Sequence, residues 1–431
     1  MPKLVLTTVG TQGDLHPFIA LGLALTRRGF TPVLAVPRDQ VAKVRRAGLA
    51  AEGVLPGFDE IQRRMGLDET DAVRRIMGDQ REMLEQVLLP ALPACAEALD
   101  RIADGAQAIT ASIFAFAAPV VAQKRGLPLV SVVLQPMALL SAHDPPRTPE
   151  FRLLRGASGG AVGRRWNQFA YLAMRQVLAV LYSKRIDAVR AGQGLPRAGA
   201  RRMFEPQAQA ALTLACWSAR FAPLPPDAPP RTRIVGFPVF DSGDGLPASL
   251  PATLLRFLNE GPPPLVFTLG TFAVNGGGDF YDHAHEIARR LGLRAVLLTG
   301  RGASRQDGDV FRCAYAPHSL LFPRACVIVH HGGIGTTGQA LRAGKPQLVV
   351  PHMGDQHDHA HRIARLGVGA ALRASRFDAP RATPLIRRLL GEAGFRTEAG
   401  RVGARIREED GAETAADAIE AALNGRPGRP I

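Results

Sequence analysis

Tryptophan and tyrosine are scarce in this 431-residue chain, at 2 and 4, and cysteine occurs four times, at Cys95, Cys216, Cys313 and Cys326. The cysteines are far apart and form no C-x-x-C pair. That excludes the common zinc and dithiol motifs and leaves free, mostly buried thiols in a reducing compartment. No run of about 18 apolar residues is available to cross a bilayer. Residues 1–10 run straight into a strand pattern without a small-residue cleavage site, so no secretory leader is expected and the chain is expected in the cytoplasm. Acidic residues are outnumbered, 38 to 53, for a net charge of +15. Aromatics are not interleaved with the basic residues and no nucleic-acid module is recognisable, so nucleic acid is not an expected partner. Compositional bias, with loose attachment to the inner face of an anionic membrane as a second cause, accounts for the charge.

Short apolar runs alternate with amphipathic stretches, the pattern of parallel sheets covered by helices, so the fold class is α/β. Strands are expected at 4–9, 32–36, 108–111, 129–134, 211–216 and 233–235, with helices at 17–28, about 70–104 and 114–124 and a long Arg-rich helical region at 160–192. The segment from Gly236 is rich in Gly, Pro and Asp and has no period. It reads as a linker, and the alternation then restarts. Strands are expected at 264–269, 295–298, 327–330 and 347–350, with helices near 280–291, 334–343, 355–366, 380–390 and 411–423. The expected division is residues 1–235, a linker at 236–250, residues 251–408, and a C-terminal helix within 409–431 crossing back onto the first half.

The most informative stretch is 327–344. An apolar strand ends in His330 and His331, followed by Gly332, Gly333 and Gly335 and then a helix. Glycines let the backbone approach a ligand closely, and the first amides of a helix are unpaired and favour an anion. Thr336 and Thr337 add hydroxyls, and His331 can donate a ring N–H to a phosphate oxygen. A plain tight turn from strand to helix is the alternative.

Residues 330–337, with 340–351 and Gly354, Asp355 and Gln356, resemble the donor-site signature of family 1 glycosyltransferases. Residues 8–18 are similar to that family's opening loop, so the resemblance covers nearly the whole chain. It implies a GT-B fold, with two Rossmann-like α/β domains facing each other across a cleft, and an inverting transfer of a hexose from a dTDP- or UDP-linked donor. Residues 141–146, 236–241, 278–281 and 314–317 are similar to the rhamnosyltransferases of rhamnolipid synthesis. His331, where those enzymes have Pro, is closer to the sterol and macrolide branch. The resemblance assigns His331, Thr336 and the backbone of Gly333 and Gly335 to the diphosphate, with Thr271 reaching it from the first strand of the second half. It puts Gln339 on the ribose, Tyr315 and Ala316 at the base, and Asp355 and Gln356 on the sugar hydroxyls. It requires no cofactor and no metal.

Such a transfer needs a base within hydrogen-bond reach of the acceptor hydroxyl. The matching loop position is Asp14, and the strand that supplies a backing acid elsewhere in the family reads Thr110-Ala111-Ser112, without one. His16 is the rival base, and capping a helix that begins at Pro17 is the structural alternative for Asp14. His352, His357, His359 and His361 crowd one segment with Asp358; a polar, solvent-facing helix is the expected reading rather than a metal site. The acceptor, a small hydrophobic hydroxylated or lipid-like molecule, is expected against the loop after 134 and the 160–192 region, where Leu139, Phe151, Trp166, Phe169 and Tyr171 lie among arginines. The competing functions are a glucosyltransferase for sterol, polyketide or phenolic acceptors and a nucleotide-sugar epimerase of the same architecture.

Overall fold

The computed structural model describes residues 1–66, 80–156, 159–242, 248–270 and 277–425. Two seven-stranded sheets organise them. The first has the order β3-β2-β1-β4-β5-β6-β7, all parallel, from β1 (Lys3–Thr7), β2 (Thr31–Pro37), β3 (Ala50–Leu55), β4 (Ala106–Ser112), β5 (Leu129–Val133), β6 (Leu212–Ala215) and β7 (Thr232–Ile234). The second runs β10-β11-β9-β8-β12-β13-β14, from β8 (Leu265–Thr268), β9 (Ala295–Leu298), β10 (Arg305–Asp307), β11 (Val310–Cys313), β12 (Val327–His330), β13 (Gln347–Val349) and β14 (Gly369–Ala371). Only its edge pair, β10 with β11, is antiparallel.

Central strands such as Leu4-Val5-Leu6 and Val327-Ile328-Val329 are apolar throughout because helices cover both faces of each sheet. These strands were legible. β3, β10, β11 and β14 were not: β10 is wholly exposed and charged, and β14 is Gly-Ala-Ala with no β-branched residue. The helices Ala252–Asn259 and Ala393–Arg407 also went unread. The second carries Gly394, Gly400 and Gly403, and Gly403 lies against Gly344 so closely that a Cβ would sit 2.5 Å from its Cα.

In each sheet the strand order reverses beside the first strand, between β1 and β4 and again between β8 and β12. Ligands of open α/β sheets bind outside the carboxyl ends of the strands at such points. The loop after β1 leads into the helical turn that carries Asp14, and the loop after β12 carries the glycine turn.

The two halves share a core. Trp217, Phe221 and Phe237 pack with Leu341, Val349, Ala360 and Ile363. Helix Gly411–Leu423 returns to the first half, where Ala412, Ala415, Ala416 and Ile419 join the cluster of Leu15, Phe18 and Ile19. Arg27 and Arg28 hold its Glu413, and Arg28 also bonds Asp417. A polar latch completes the join. Arg362, 2% exposed, donates to Asp358 of its own helix (2.7 Å) and to Asp144 of the first half (2.8 Å), and Arg147 N–H donates to Asp358 (3.0 Å).

This latch corrects one expectation. Helix Asp355–Arg365 does not simply face solvent, because it buries Gln356, Asp358, His359 and Arg362. Its polar residues pair with one another and with the opposite half, so a polar sequence lies inside.

Candidate active site

Asp14 sits in the first turn of helix Gln12–Arg27, which starts five residues before Pro17. Thr11 is the N-cap, accepting from Gly13 N–H (3.2 Å), and Asp14 reaches back to accept from Thr11 N–H (2.8 Å). This reciprocal pair is a capping box. Thr11 Oγ1 lies 3.3 Å from the same carboxylate oxygen, Oδ2. No described residue bonds Oδ1, which is left for a ligand. Gly10, at φ +128°, makes the placement possible, because a Cβ there would lie 2.2 Å from Asp14 Oδ2. Burial raises the Asp14 carboxyl to about 6, and the Asp355 carboxylate across the cleft pushes the same way, against the bonds from Thr11.

His16 is held differently. The buried Lys43 ammonium donates to His16 Nε2 (2.6 Å) and to Gln12 Oε1 (2.9 Å). Phe240 of the linker stands edge-on to the ring, 5.5 Å between centroids. Burial, then Lys43 and His318, lower the imidazole to about 3. The ring is neutral at physiological pH, with its Nε2 lone pair already engaged and its proton on Nδ1.

On the other side of the cleft, His330 is fully buried and structural. Gly332 N–H donates to its Nδ1 (3.1 Å), so its Nε2–H donates to Gln347 (2.9 Å), and burial lowers it to about 4. His331 faces a different environment. Its ring fits between Gly270 and Gly333, where added Cβ atoms would come within 2.6 Å and 2.4 Å of ring atoms. Its Nδ1 is buried without a partner, and burial, reinforced by the neighbouring histidines, holds the ring well below its usual pKa. A neutral imidazole with an unused nitrogen is the kind of group that a ligand oxygen satisfies.

Helix Ile334–Ala343 begins at Gly333 with no side-chain cap, so its first amides are open to an anion. A Cβ on Gly335 would meet nothing, which marks the side of the turn that faces open space. Thr336 is buried, and Thr337 is fully buried with an unpaired hydroxyl. Gln339 is partly exposed on the same helix. Thr271 lies outside the described residues.

Asp355 opens the next helix. Burial raises its carboxyl, and His359, one turn on, offsets part of that. Gln356 Oε1 accepts from the N–H groups of His352 (2.9 Å) and Met353 (3.3 Å), so only its amide NH2 remains for a ligand. His359 was read only as one of a polar run, yet it ties this pair to the glycine turn. Its Nδ1–H donates to Gly332 O (2.7 Å), and it lies 3.8 Å from Asp355 Oδ2. The four-residue spacing of Asp355 and His359 was the available signal.

Tyr315 is half-buried and donates its hydroxyl to Asp241 of the linker (3.1 Å), while Ala316 is fully buried. Asp241 also accepts from Ser319 N–H. The linker therefore touches both halves of the site, through Phe240 at His16 and through Asp241 at Tyr315. Sequence reasoning missed Lys43, Asp241 and Arg362, because their roles depend on contacts across elements. Among the described residues, no group of three or more His, Cys, Asp or Glu side chains is placed to hold a metal ion. No helix of the described residues is long and apolar enough to cross a membrane.

Three known proteins can now be set beside this geometry. Residues 301–421 match the C-terminal domain of the erythromycin biosynthesis protein CIII-like family. The chain is 28% identical over 433 residues to the O-mycaminosyltylonolide 6-deoxyallosyltransferase of Streptomyces fradiae, covering 97% of each. It is 30% identical over 386 residues to the glycosyltransferase GtfC of Amycolatopsis orientalis, covering 86% of each. In fold it is similar to the solved structure of the glycosyltransferase VinC in complex with dTDP, with a TM-score of 0.69 at 18% identity over 98% of this chain and all of that one. The epimerase alternative falls away, because these full-length relatives transfer sugars. With its two facing α/β sheets, its glycine turn after β12 and these relatives, the chain belongs to the family 1 glycosyltransferases and has the GT-B fold.

Proposed function

We propose that this enzyme inverts the anomeric centre of a hexose as it moves it from a dTDP- or UDP-linked donor to a hydroxyl of a small apolar acceptor, with Asp14 as the base. The observation that carries this reading is that Ile334, which opens the uncapped helix of the second half, packs against the core cluster containing Leu15, the neighbour of Asp14, while the Asp355 carboxylate adds to the effect of burial on Asp14. On this reading the proton acceptor of one half stands next to the sugar-holding residues of the other.

In this reading the acceptor hydroxyl bonds Asp14 Oδ1. As its oxygen attacks the anomeric carbon, the proton passes to the carboxylate and the bond from that carbon to the phosphate oxygen breaks. The diphosphate leaves with its charge held by the first amides of the helix at Gly335 and Thr336 and by an N–H of His331. Asp355 accepts from sugar hydroxyls and the Gln356 amide donates to one. Gln339 serves the ribose, and the Tyr315 ring, fixed by Asp241, serves the base. Thr271 is assigned to the phosphates from its sequence position. In this scheme the helix terminus and the N–H of the neutral His331 ring stabilise the leaving diphosphate by hydrogen bonds, and no divalent ion is given a role.

His16 is not the base in this scheme. With Lys43 on Nε2 and the ring lowered to about 3, it has no lone pair free to take a proton at neutral pH, and it serves as an Nδ1–H donor instead.

The acceptor was expected against the loop after 134 and the 160–192 region. Of the residues expected there, Leu139 and Tyr171 are buried, with the Tyr171 hydroxyl donating to Ser141 O (3.2 Å), whereas Trp166, Phe169 and Leu172 lie on an outer surface.

The test is a thermal-shift screen with UDP, dTDP and GDP and their glucose and rhamnose conjugates, since a ligand that binds only the folded state raises its stability. The expected result is a rise with dTDP or UDP. No shift with any of them would overturn the reading. For a donor that binds, NMR of the product must show the opposite anomer to the donor.

A further inference from the structure

Helix Gly160–Gly192 is 33 residues long and lies on the outside of the first half. Its buried side, including Asn167, Tyr171, Tyr182 and Ile186, packs on the domain. Its other side is anomalous. Val162, Trp166, Phe169, Ala173, Val177 and Val180 recur every three or four residues and so share one face, and all are exposed, Phe169 by 61% and Val180 by 78%. From Val162 to Val180 the stripe is roughly 27 Å long at 1.5 Å per residue. Leu153, 77% exposed, continues it, because the Trp166 indole N–H donates to Leu153 O (2.8 Å). Exposed apolar surface of this extent marks an interaction site rather than ordinary scatter.

The charges identify the partner. Arg165 flanks the stripe at one end and Lys184 continues it at the other, both exposed. The only acidic residue between 160 and 192 is Asp187, and it is turned inward, accepting from the N–H groups of Ala198 and Gly199. A second copy docked on this helix would bring cations against cations in either orientation: Arg165 against Arg165 if parallel, Arg165 against Lys184 if antiparallel. The surface is also a single convex helix rather than a groove, so it offers a peptide no walls. A flat, apolar and anionic surface meets both requirements.

We propose that this face of helix Gly160–Gly192 lies on an anionic lipid bilayer, with the stripe in the headgroup–acyl boundary and the terminal cations on lipid phosphates. Docking there would bring the cleft to the surface. Asn167, fully buried on the opposite side of the helix, donates to Ala142 O (3.0 Å), and the same loop holds Asp144 on Arg362 of the donor half. A lipid-dissolved acceptor would then reach the site without crossing water.

The experiment is vesicle co-sedimentation of the full chain, using phosphatidylcholine alone and a roughly 3:1 mixture with phosphatidylglycerol. The expected result is binding at least about tenfold stronger to the anionic vesicles, reduced by about 0.5 M salt. Trp166 supplies a second readout. The chain has two tryptophans and Trp217 is fully buried, so a blue shift of emission on vesicle addition reports Trp166. The double variant Phe169→Glu/Val180→Glu keeps good helix formers on the exposed face. It should lose vesicle binding while retaining its melting temperature and its turnover of a water-soluble acceptor. Three results would overturn the proposal: no wild-type binding to the anionic vesicles, equal binding to both compositions, or binding unchanged in the double variant. A wild-type dimer in light scattering that the double variant converts to a monomer would also overturn it, by showing that the stripe is a protein interface.

Discussion

Replacing Asp14 by Asn separates helix capping from the proton transfer proposed for this side chain. The amide oxygen can accept from Thr11 N–H as the carboxylate does, at 2.8 Å, so the capping box survives. What is lost is the ability to take a proton. General-base catalysis contributes about 10²–10⁴-fold, and kcat/KM is expected to fall by about 10³ with nucleotide affinity unchanged. Stability should move the other way. Raising a carboxyl from 3.8 to about 6 corresponds to about 3 kcal/mol in favour of its protonated form. Water at the partly open Asp14 reduces this to about 1–2 kcal/mol. Because the folded-state value is the higher one, this contribution is fully present below 3.8 and is lost as pH rises through about 6. The wild type therefore carries the cost of a poorly hydrated charge, facing Asp355, at pH 8. The variant does not, and it should melt at a slightly higher temperature than wild type at pH 8 and show no such advantage near pH 4. The assay is nucleoside diphosphate release with the donor found by thermal shift, followed from about pH 5 to 8. Wild-type kcat/KM should reach half its maximum near 6. A variant that keeps more than about a tenth of the activity, or a flat wild-type profile, would refute the assignment of the base.

Loss of His331 by substitution with Ala should weaken UDP or dTDP binding by about 10- to 100-fold in calorimetry, the worth of one hydrogen bond to a charged group. Gly333→Ala should act in the same direction while leaving the imidazole present, because its methyl would fall 2.4 Å from His331 Nε2. Arg362→Met leaves the 1%-exposed Asp358 and its partner Asp144 without their cation, and should cost about 3–5 kcal/mol in chemical unfolding. His16 and His330 are lowered from 6.5 to about 3 and about 4 by burial, so both favour the folded state above 6.5 and oppose it as pH falls toward those values. Melting temperature should accordingly drop between pH 7 and pH 5, and an unchanged value would show that these rings can take up protons without loss.

The parallel-sheet class and the glycine turn at 332–335 were legible because they follow from local chemistry. Strands covered on both faces must be apolar throughout, and a backbone that meets an anion closely must be glycine at a helix start. The start of helix Gln12–Arg27 was also written locally, in the Thr11–Asp14 capping box, but Gly13 and Pro17 disguised it. β14 and helix Ala393–Arg407 carried no such signal, since small residues form these elements only when a neighbouring backbone packs against them.

Chain order alone determined that a glycine turn before an uncapped helix and an acidic opening segment exist, because each depends on a few adjacent residues. Only the tertiary structure decided what they do together. It placed Lys43 on His16, which occupies the Nε2 of that ring, and it buried Asp14, which, with the Asp355 carboxylate of the other half, raises the carboxyl to about 6. It also turned the polar helix Asp355–Arg365 inward onto Asp144. Each of these is an electrostatic effect between groups distant in sequence. Its sign and size depend on separation through space and on the water excluded between the groups, and neither quantity exists until the two halves close on one another.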